Sequence, residues 1–199
     1  MIALADVDLV LASTSRYRRE LLSRLTSNVR AIAPHVDESP LRAETPLVLA
    51  ARLAEAKASE VAARAHGALV IGSDQVADLA GTILGKPGTI DNARTQLATC
   101  SGREIVFHTA ICLVDARSLP VRLHAAIDTT RVRFRQLDGD EIARYVARER
   151  PLDCAGSFKA EALGIALFER IESSDPTGLI GLPLIALCRL LGDAGIAVL

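Results

Sequence analysis

The sequence predicts a mixed α/β fold, a mixed twisted sheet with flanking helices arranged as two lobes around a central cleft, and three observations predict it. Strand-like and helix-like segments alternate through the first half of the chain. Two long strand-like segments joined by a short turn follow them. A β-branched run, Leu69-Val70-Ile71 before Gly72, reads as a central strand covered on both faces. The 199 residues are read as one domain, 1–199, with two lobes. A chain of this length buries about 70% of its unfolded surface and needs no disulfide to hold it.

Composition removes several function classes. With 23 basic and 24 acidic residues the formal net charge is −1, which lacks the electrostatic footprint of a non-specific nucleic-acid binder, so no nucleic-acid partner is expected. Cys100, Cys112, Cys154 and Cys188 stand far apart with no CxxC, and His35, His66, His108 and His124 lack metal-ligand spacing. A structural zinc site is therefore not expected, and the cysteines read as small buried hydrophobes. The longest apolar stretch, Leu182 to Cys188, is far too short to span a bilayer, so no membrane partner and a cytoplasmic location are expected. Trp is absent, and an aromatic ring placed in a loop, such as Tyr17, stands out.

Taken in order, Val7 to Ala12 reads as a strand, Ser13-Thr14-Ser15 as a turn, and Arg16 to Leu25 as a helix capped by Ser15 with Leu21, Leu22 and Leu25 inward. Free N–H groups at that helix start, the hydroxyls of Ser13 and Ser15, and Arg18 make a candidate phosphate cradle. Arginines at a helix start oppose the dipole, which favours a functional reading of Arg18 and a solvated one for Arg19 and Arg24. Asn28 to Ala33 reads as the next strand, followed by the acidic loop His35 to Ser39. A long helix is expected from Pro46 to Ala65 with Leu49, Leu53, Ala56 and Ala63 inward; Lys57 interrupts its apolar side and reads by default as a snorkelling surface lysine.

Asp74 sits at the mouth of the Leu69–Ile71 strand. A second strand, Gln75 to Leu79, turns at Ala80-Gly81 and returns as Thr82 to Leu84, bringing Gly85-Lys86-Pro87 back to the same end. Two readings stay open here: an acid and a lysine offered to one cleft, or a turn-capping Asp and a solvated Lys. Asp91 to Cys100 is helical. Glu104 to Asp115 and Val121 to Gln136 form a hairpin expected to build the second lobe, with Arg131, Arg133 and Arg135 on one face, read as solvated. Asp138 to Glu141 resembles a capping box opening a helix with Ile142, Tyr145 and Val146. A loop from Cys154 to Ala162, a strand from Leu163 to Ile171, and a helix from Gly181 to Leu191 complete the chain.

Seven stretches in order resemble the Maf-type nucleotide pyrophosphatases: LASTSRYRRELL (Leu11 to Leu22), VDES (Val36 to Ser39), RLAEAKA (Arg52 to Ala58), IGSDQVA (Ile71 to Ala77), GKP (Gly85 to Pro87), CAGSFKAEALGI (Cys154 to Ile165) and GLPL (Gly181 to Leu184). Ser-Asp-Gln around Asp74 and the loop Ala155 to Glu161 are most similar to the subgroup that acts on 7-methyl-GTP. The resemblance implies a Maf/ITPase-like fold with a nucleotide-binding cleft, and hydrolysis between the α and β phosphates with a divalent cation, Mg²⁺ or Mn²⁺. It implies Asp74 as catalytic carboxylate, Ser13, Ser15, Arg18, Lys57 and Lys86 around the phosphates, Glu38 with Asp74 at the metal, and Tyr17, Gln75 and Glu161 at the base. A homodimer is suggested by the resemblance alone. The alternatives are a dTTP, UTP or other noncanonical nucleotide pyrophosphatase, and a nucleotide-binding regulator of cell division. Arg16 departs from the proline common after Ser-x-Ser, and Tyr17 from the Trp frequent in close relatives.

Overall fold

The computed structural model describes the whole chain, Met1–Leu199. It begins with β1 (Ile2–Ala3), β2 (Leu9–Leu11), α1 (Arg16–Leu22), β3 (Val29–Ala31) and α2 (Pro46–Ala62). There follow β4 (Leu69–Leu79), β5 (Thr82–Leu84), α3 (Ile90–Cys100), β6 (Glu104–Asp115), β7 (Arg122–Phe134), α4 (Gly139–Glu149), β8 (Phe168–Glu172), α5 (Leu184–Asp193) and β9 (Ile196–Ala197). Seven strands form one mixed sheet in the order β3-β2-β4-β6-β7-β8, with β5 paired to β4. β1 and β9 form a separate parallel pair.

The sheet forks along β4. Its Leu69–Ile71 part pairs in parallel with β2, and its Ala77–Leu79 part pairs antiparallel with β5 on that same side. On the opposite side β6 pairs with it continuously from Leu69 to Asp78. The residues between the two partial neighbours, Gly72 to Val76, thus have a paired strand on one side only, and the free edge opens into a cleft.

Side-chain alternation decides what each face meets. Val70 and Val76 face α2 and join a buried cluster with Leu49, Leu53, Ala54, Ala58 and Val61. Leu69 and Ile71 face the other way, among Leu21 and Leu22 of α1 and Leu187 and Leu191 of α5. Beyond the fork a third cluster gathers Leu84, Leu97, Phe107, Phe134, Tyr145 and Phe158, with Phe158 packed edge-on to Phe107, Phe134 and Phe168. Clusters on both sides of the fork therefore bracket the cleft.

Several expectations need correction. β4 is one strand of 11 residues rather than two, because β6 supports it past Gly72; Asp74 lies mid-strand and only the neighbouring edge ends there. The hairpin β6–β7, expected in the second lobe, belongs to the same continuous sheet as β2 and β4. Leu163–Leu167 is a 3₁₀ turn, and the strand starts at Phe168. Ala63 is exposed at the end of α2, whereas Ala54, Ala58 and Val61 form its inward face. The short strands β2 and β3 and the helix α1 are trimmed relative to the sequence reading. α5 starts later than expected, at Leu184, and runs to Asp193. The capping box at Asp138 and Glu141 is present as read. Arg131, Arg133 and Arg135 pair with Glu104, Glu169 and Glu141 and are absent from the cleft wall. All four cysteines are free; Cys100 and Cys112 are buried, Cys154 and Cys188 half-buried.

Candidate active site

The cleft at the fork encloses about 730 Å³. Ser13, Ser15, Tyr17, Arg18, Glu38, Lys57, Asp74, Gln75, Lys86 and Glu161 all line it, so every candidate residue read from the sequence meets in one place. They arrive from six segments: the turn after β2 and the start of α1, the loop after β3, α2, β4, the loop after β5, and the loop before β8.

Lys57 is the main reversal. It is 5% exposed rather than snorkelling, because α2 lies directly on β4 and Lys57 faces the strand. Its Nζ donates to Asp74 Oδ1 at 2.6 Å and contacts Glu38 Oε1 at 2.6 Å. Gly72 permits this approach: a Cβ there would lie 2.2 Å from the Ala54 carbonyl oxygen of α2. The loop bearing Glu38 is tied to the same helix. Arg52 Nη2 donates to the Ser39 carbonyl and Glu60 Oε2 accepts from the His35 N–H. Partial loss of water where its tip enters the cleft pushes the Glu38 carboxyl up, but the hydrogen bond from Lys57 and the charges of Lys57, Lys86 and Arg18 outweigh it and hold the group below the usual carboxylate range.

Arg18 rises from α1 under the Ser15 cap, whose Oγ accepts from the Arg18 N–H. Its Nε donates to the Gly181 carbonyl at 2.9 Å, and that carbonyl also accepts from Ser73 Oγ at 3.0 Å. Burial lowers the Arg18 pKa against the pull of Asp74 and Glu38. Because α1 has only seven residues, cationic side chains rather than the helix dipole dominate the positive potential at this end.

Gln75 faces away from Asp74, as alternation requires. Its Nε2 is directed at Thr109 Oγ1 and at the Gly178 and Leu179 carbonyls, each at 3.0 Å. The amide donors are thus occupied inside the protein, leaving Oε1 for anything in the cleft. Tyr17 carries the Arg16 guanidinium over its ring at 4.7 Å from the centroid, and its hydroxyl accepts from Arg16 Nη2 at 2.7 Å. Burial pushes the Tyr17 hydroxyl up to about 12. Cys154, also on the cleft wall, has its thiol pushed up to about 11 by burial.

Sequence reading missed the support beneath these groups: Ser73, Thr109 and the carbonyls of Gly178 and Gly181. One signal was available, since period-two alternation puts Ser73 and Gln75 on the same face, away from Asp74. No group of three His, Cys, Asp or Glu residues is gathered as a metal cage. Glu38 and Asp74 nevertheless converge on a single ammonium, and two hard carboxylate donors of this kind would suit a divalent cation such as Mg²⁺ or Mn²⁺.

A protein-family model described as Maf-like protein matches residues 8–194. A protein named 7-methyl-GTP pyrophosphatase from Xanthomonas oryzae pv. oryzae (strain MAFF 311018) is 57% identical over 187 residues, covering 94% of this chain and 96% of that protein. One of the same name from Burkholderia thailandensis is 53% identical over 190 residues, covering 94% and 87%. Among solved structures, the Staphylococcus aureus Ham1 protein matches with a TM-score of 0.51 at 14% identity, covering 94% of this chain and 99% of that one. A HAM1 protein from Coxiella burnetii gives 0.52 at 16%, with the same coverage. At such identities the two structures show the mixed α/β fold alone.

Proposed function

The chain belongs to the Maf-like protein family, and from that premise we propose that it hydrolyses the α–β phosphate bond of 7-methyl-GTP, giving 7-methyl-GMP and pyrophosphate. The observation that carries this reading is the fork in the sheet, where three cations, Arg18, Lys57 and Lys86, and two carboxylates, Glu38 and Asp74, line one cleft. Such an enzyme removes a modified nucleotide from the pool.

A triphosphate is a dense anion. Arg18, Lys57 and Lys86, with the hydroxyls of Ser13 and Ser15, bind its phosphates and stabilise the charge that builds on the departing pyrophosphate. Asp74 uses Oδ1 to hold Lys57 and orients the attacking water with the remainder of its carboxylate, accepting the proton that the water loses. Glu38 and Asp74 would hold a divalent cation, which supplies charge neutralisation on the phosphate oxygens when bound. Lys57, seated between the two carboxylates, holds them close to each other.

At the base end, methylation at N7 makes guanine cationic. Stacking on Tyr17 then gains about 0.5–2 kcal/mol over an uncharged base. The Arg16 guanidinium already lying on this ring supports the idea that it accepts a cation. Glu161 accepts from N1–H and N2–H of the guanine edge, and Gln75 offers Oε1.

The test is a panel of 7-methyl-GTP, GTP, dTTP and UTP with Mg²⁺ or Mn²⁺, read by pyrophosphate release. The expected result is preferential hydrolysis of 7-methyl-GTP, and a loss of about 10²- to 10⁴-fold in kcat for Asp74→Asn with the fold retained. A preference for dTTP or UTP moves the substrate assignment. Binding without any pyrophosphate release, or an Asp74→Asn variant as active as the parent, overturns the enzyme reading in favour of a nucleotide-binding regulator.

A further inference from the structure

A row of polar side chains crosses the sheet behind the cleft. Gln75 on β4 stands opposite Thr109 on β6, and Thr109 stands opposite Asp128 on β7. Thr109 and Asp128 are buried, and neither lines the cleft. All three meet the same residue. The Gly178 carbonyl accepts from Gln75 Nε2 and from Thr109 Oγ1, each at 3.0 Å. On its Cα side, a methyl group would lie 2.3 Å from Asp128 Oδ2.

Asp128 is an unusual occupant of such a place. It is 5% exposed, and its hydrogen-bond partners are hydroxyls: Ser174 Oγ donates to Oδ1 at 2.6 Å, while Thr130 Oγ1 and Ser173 Oγ lie 3.1 and 3.4 Å from Oδ2. None of the ion pairs of the chain includes it. A buried carboxylate stabilised only by hydroxyls is costly to keep, and a position serving packing alone would be filled better by an apolar side chain. Ser173 and Ser174 open the segment that continues through Asp175 and Gly178 to Gly181. Asp175 has separate work, since it accepts from the Thr177 N–H and hydroxyl and from the Ile185 N–H at the start of α5.

The far end of this segment bears on the site. Leu179, Ile180 and Gly181 form cleft wall, the Gly181 carbonyl holds Arg18 and Ser73, and the Leu179 carbonyl holds Gln75. We infer that Asp128 is a positioning residue: with Thr109 it seats Gly178, and through the 178–181 segment it fixes where Arg18 and Gln75 stand relative to each other. It thereby sets the spacing between the phosphate end and the base end of the cleft. The assignment of those ends rests on the proposed function; the seating of the segment does not.

The experiment compares Asp128→Ala, Asp128→Asn, Gly178→Ala and the Asp128→Ala/Gly178→Ala pair with the parent, first on the full triphosphate panel and then on the triphosphate that the parent prefers. Asp128→Ala is expected to lower kcat/KM by about 10- to 100-fold and to flatten the preference between bases. Asp128→Asn, which keeps the shape, retains more of both. Gly178→Ala is expected to be as impaired as Asp128→Ala, and removing the carboxylate that its methyl meets should restore part of the loss in the double variant. If the alanine variant does not fold, the asparagine and glycine-site variants decide. Folded variants with the parent's kcat/KM and base ratio, or a lowered Tm with both unchanged, overturn the inference. A parent that prefers UTP instead overturns the substrate reading, while the variants still report on Asp128.

Discussion

The ammonium of a lysine that is only 5% exposed needs compensation for the water it loses, and Lys57 finds it in two carboxylates at 2.6 Å. The pair is unequal. Asp74 is itself buried, whereas Glu38 is exposed and reaches in from a loop. Replacing Lys57 by methionine would keep the volume and leave Asp74 as a buried charge facing an apolar group. The expected cost is about 3–5 kcal/mol of stability, read from urea unfolding. Exchanging both partners, Lys57→Met with Asp74→Leu, should recover most of that loss, because the desolvated charge is then gone. A single variant within 1 kcal/mol of the parent, on the order of a surface pair, would mean that Lys57 is not held as described. Nothing in the spacing of α2 distinguishes this lysine from a snorkelling one. Its burial depends on a strand met only in three dimensions.

At the scale of elements, the contact between α2 and β4 makes the site, and Gly72 is the residue that lets them touch. A Cβ there would lie 2.2 Å from the Ala54 carbonyl and 2.7 Å from the Ala58 nitrogen, both backbone atoms unable to rotate away. Gly72→Ala should therefore push α2 outward, cost about 1–3 kcal/mol by overpacking, and lower kcat because Lys57 rides on the displaced helix. Thermal unfolding and steady-state kinetics check both effects, and an unchanged kcat would separate helix position from catalysis. Much at this scale was legible in the sequence. Capping residues located α1 and α4, an apolar stripe following Pro46 located α2, and strand-like runs joined by a short turn located β6 and β7, since these signals are local. The length of β4 was not legible: Gly72 interrupts its apolar run, and the strand persists only because β6 pairs with it throughout. The ten cleft residues were found through ordered motifs, whereas Ser73, Thr109 and Asp128 were not, because their importance lies in the loop they hold.

For the whole molecule, the cleft joins two differently packed ends. Ser13, Arg18, Lys57 and Glu38 come from the parallel part of the sheet and its helices, and Lys86 and Glu161 from loops around the aromatic cluster beyond the fork. No helix is long and apolar enough to cross a membrane. With a net charge of −1, little overall repulsion opposes an anion, so its attraction to the cleft is local and short-ranged. If β4 and β6, which run through both ends, make residues 1–199 one cooperative unit, heating should give a single transition. A non-hydrolysable 7-methyl-GTP analogue at 100 times its Kd should then raise the whole transition, adding about 2.7 kcal/mol. For a chain of this size that corresponds to about 5–10 °C in Tm. Lys86→Ala and Arg18→Ala, one from each end, should each reduce the shift, and chelating the divalent cation should reduce it further. Scanning calorimetry decides: two transitions, of which the ligand moves one, would divide the molecule at the fork and confine binding to a single end.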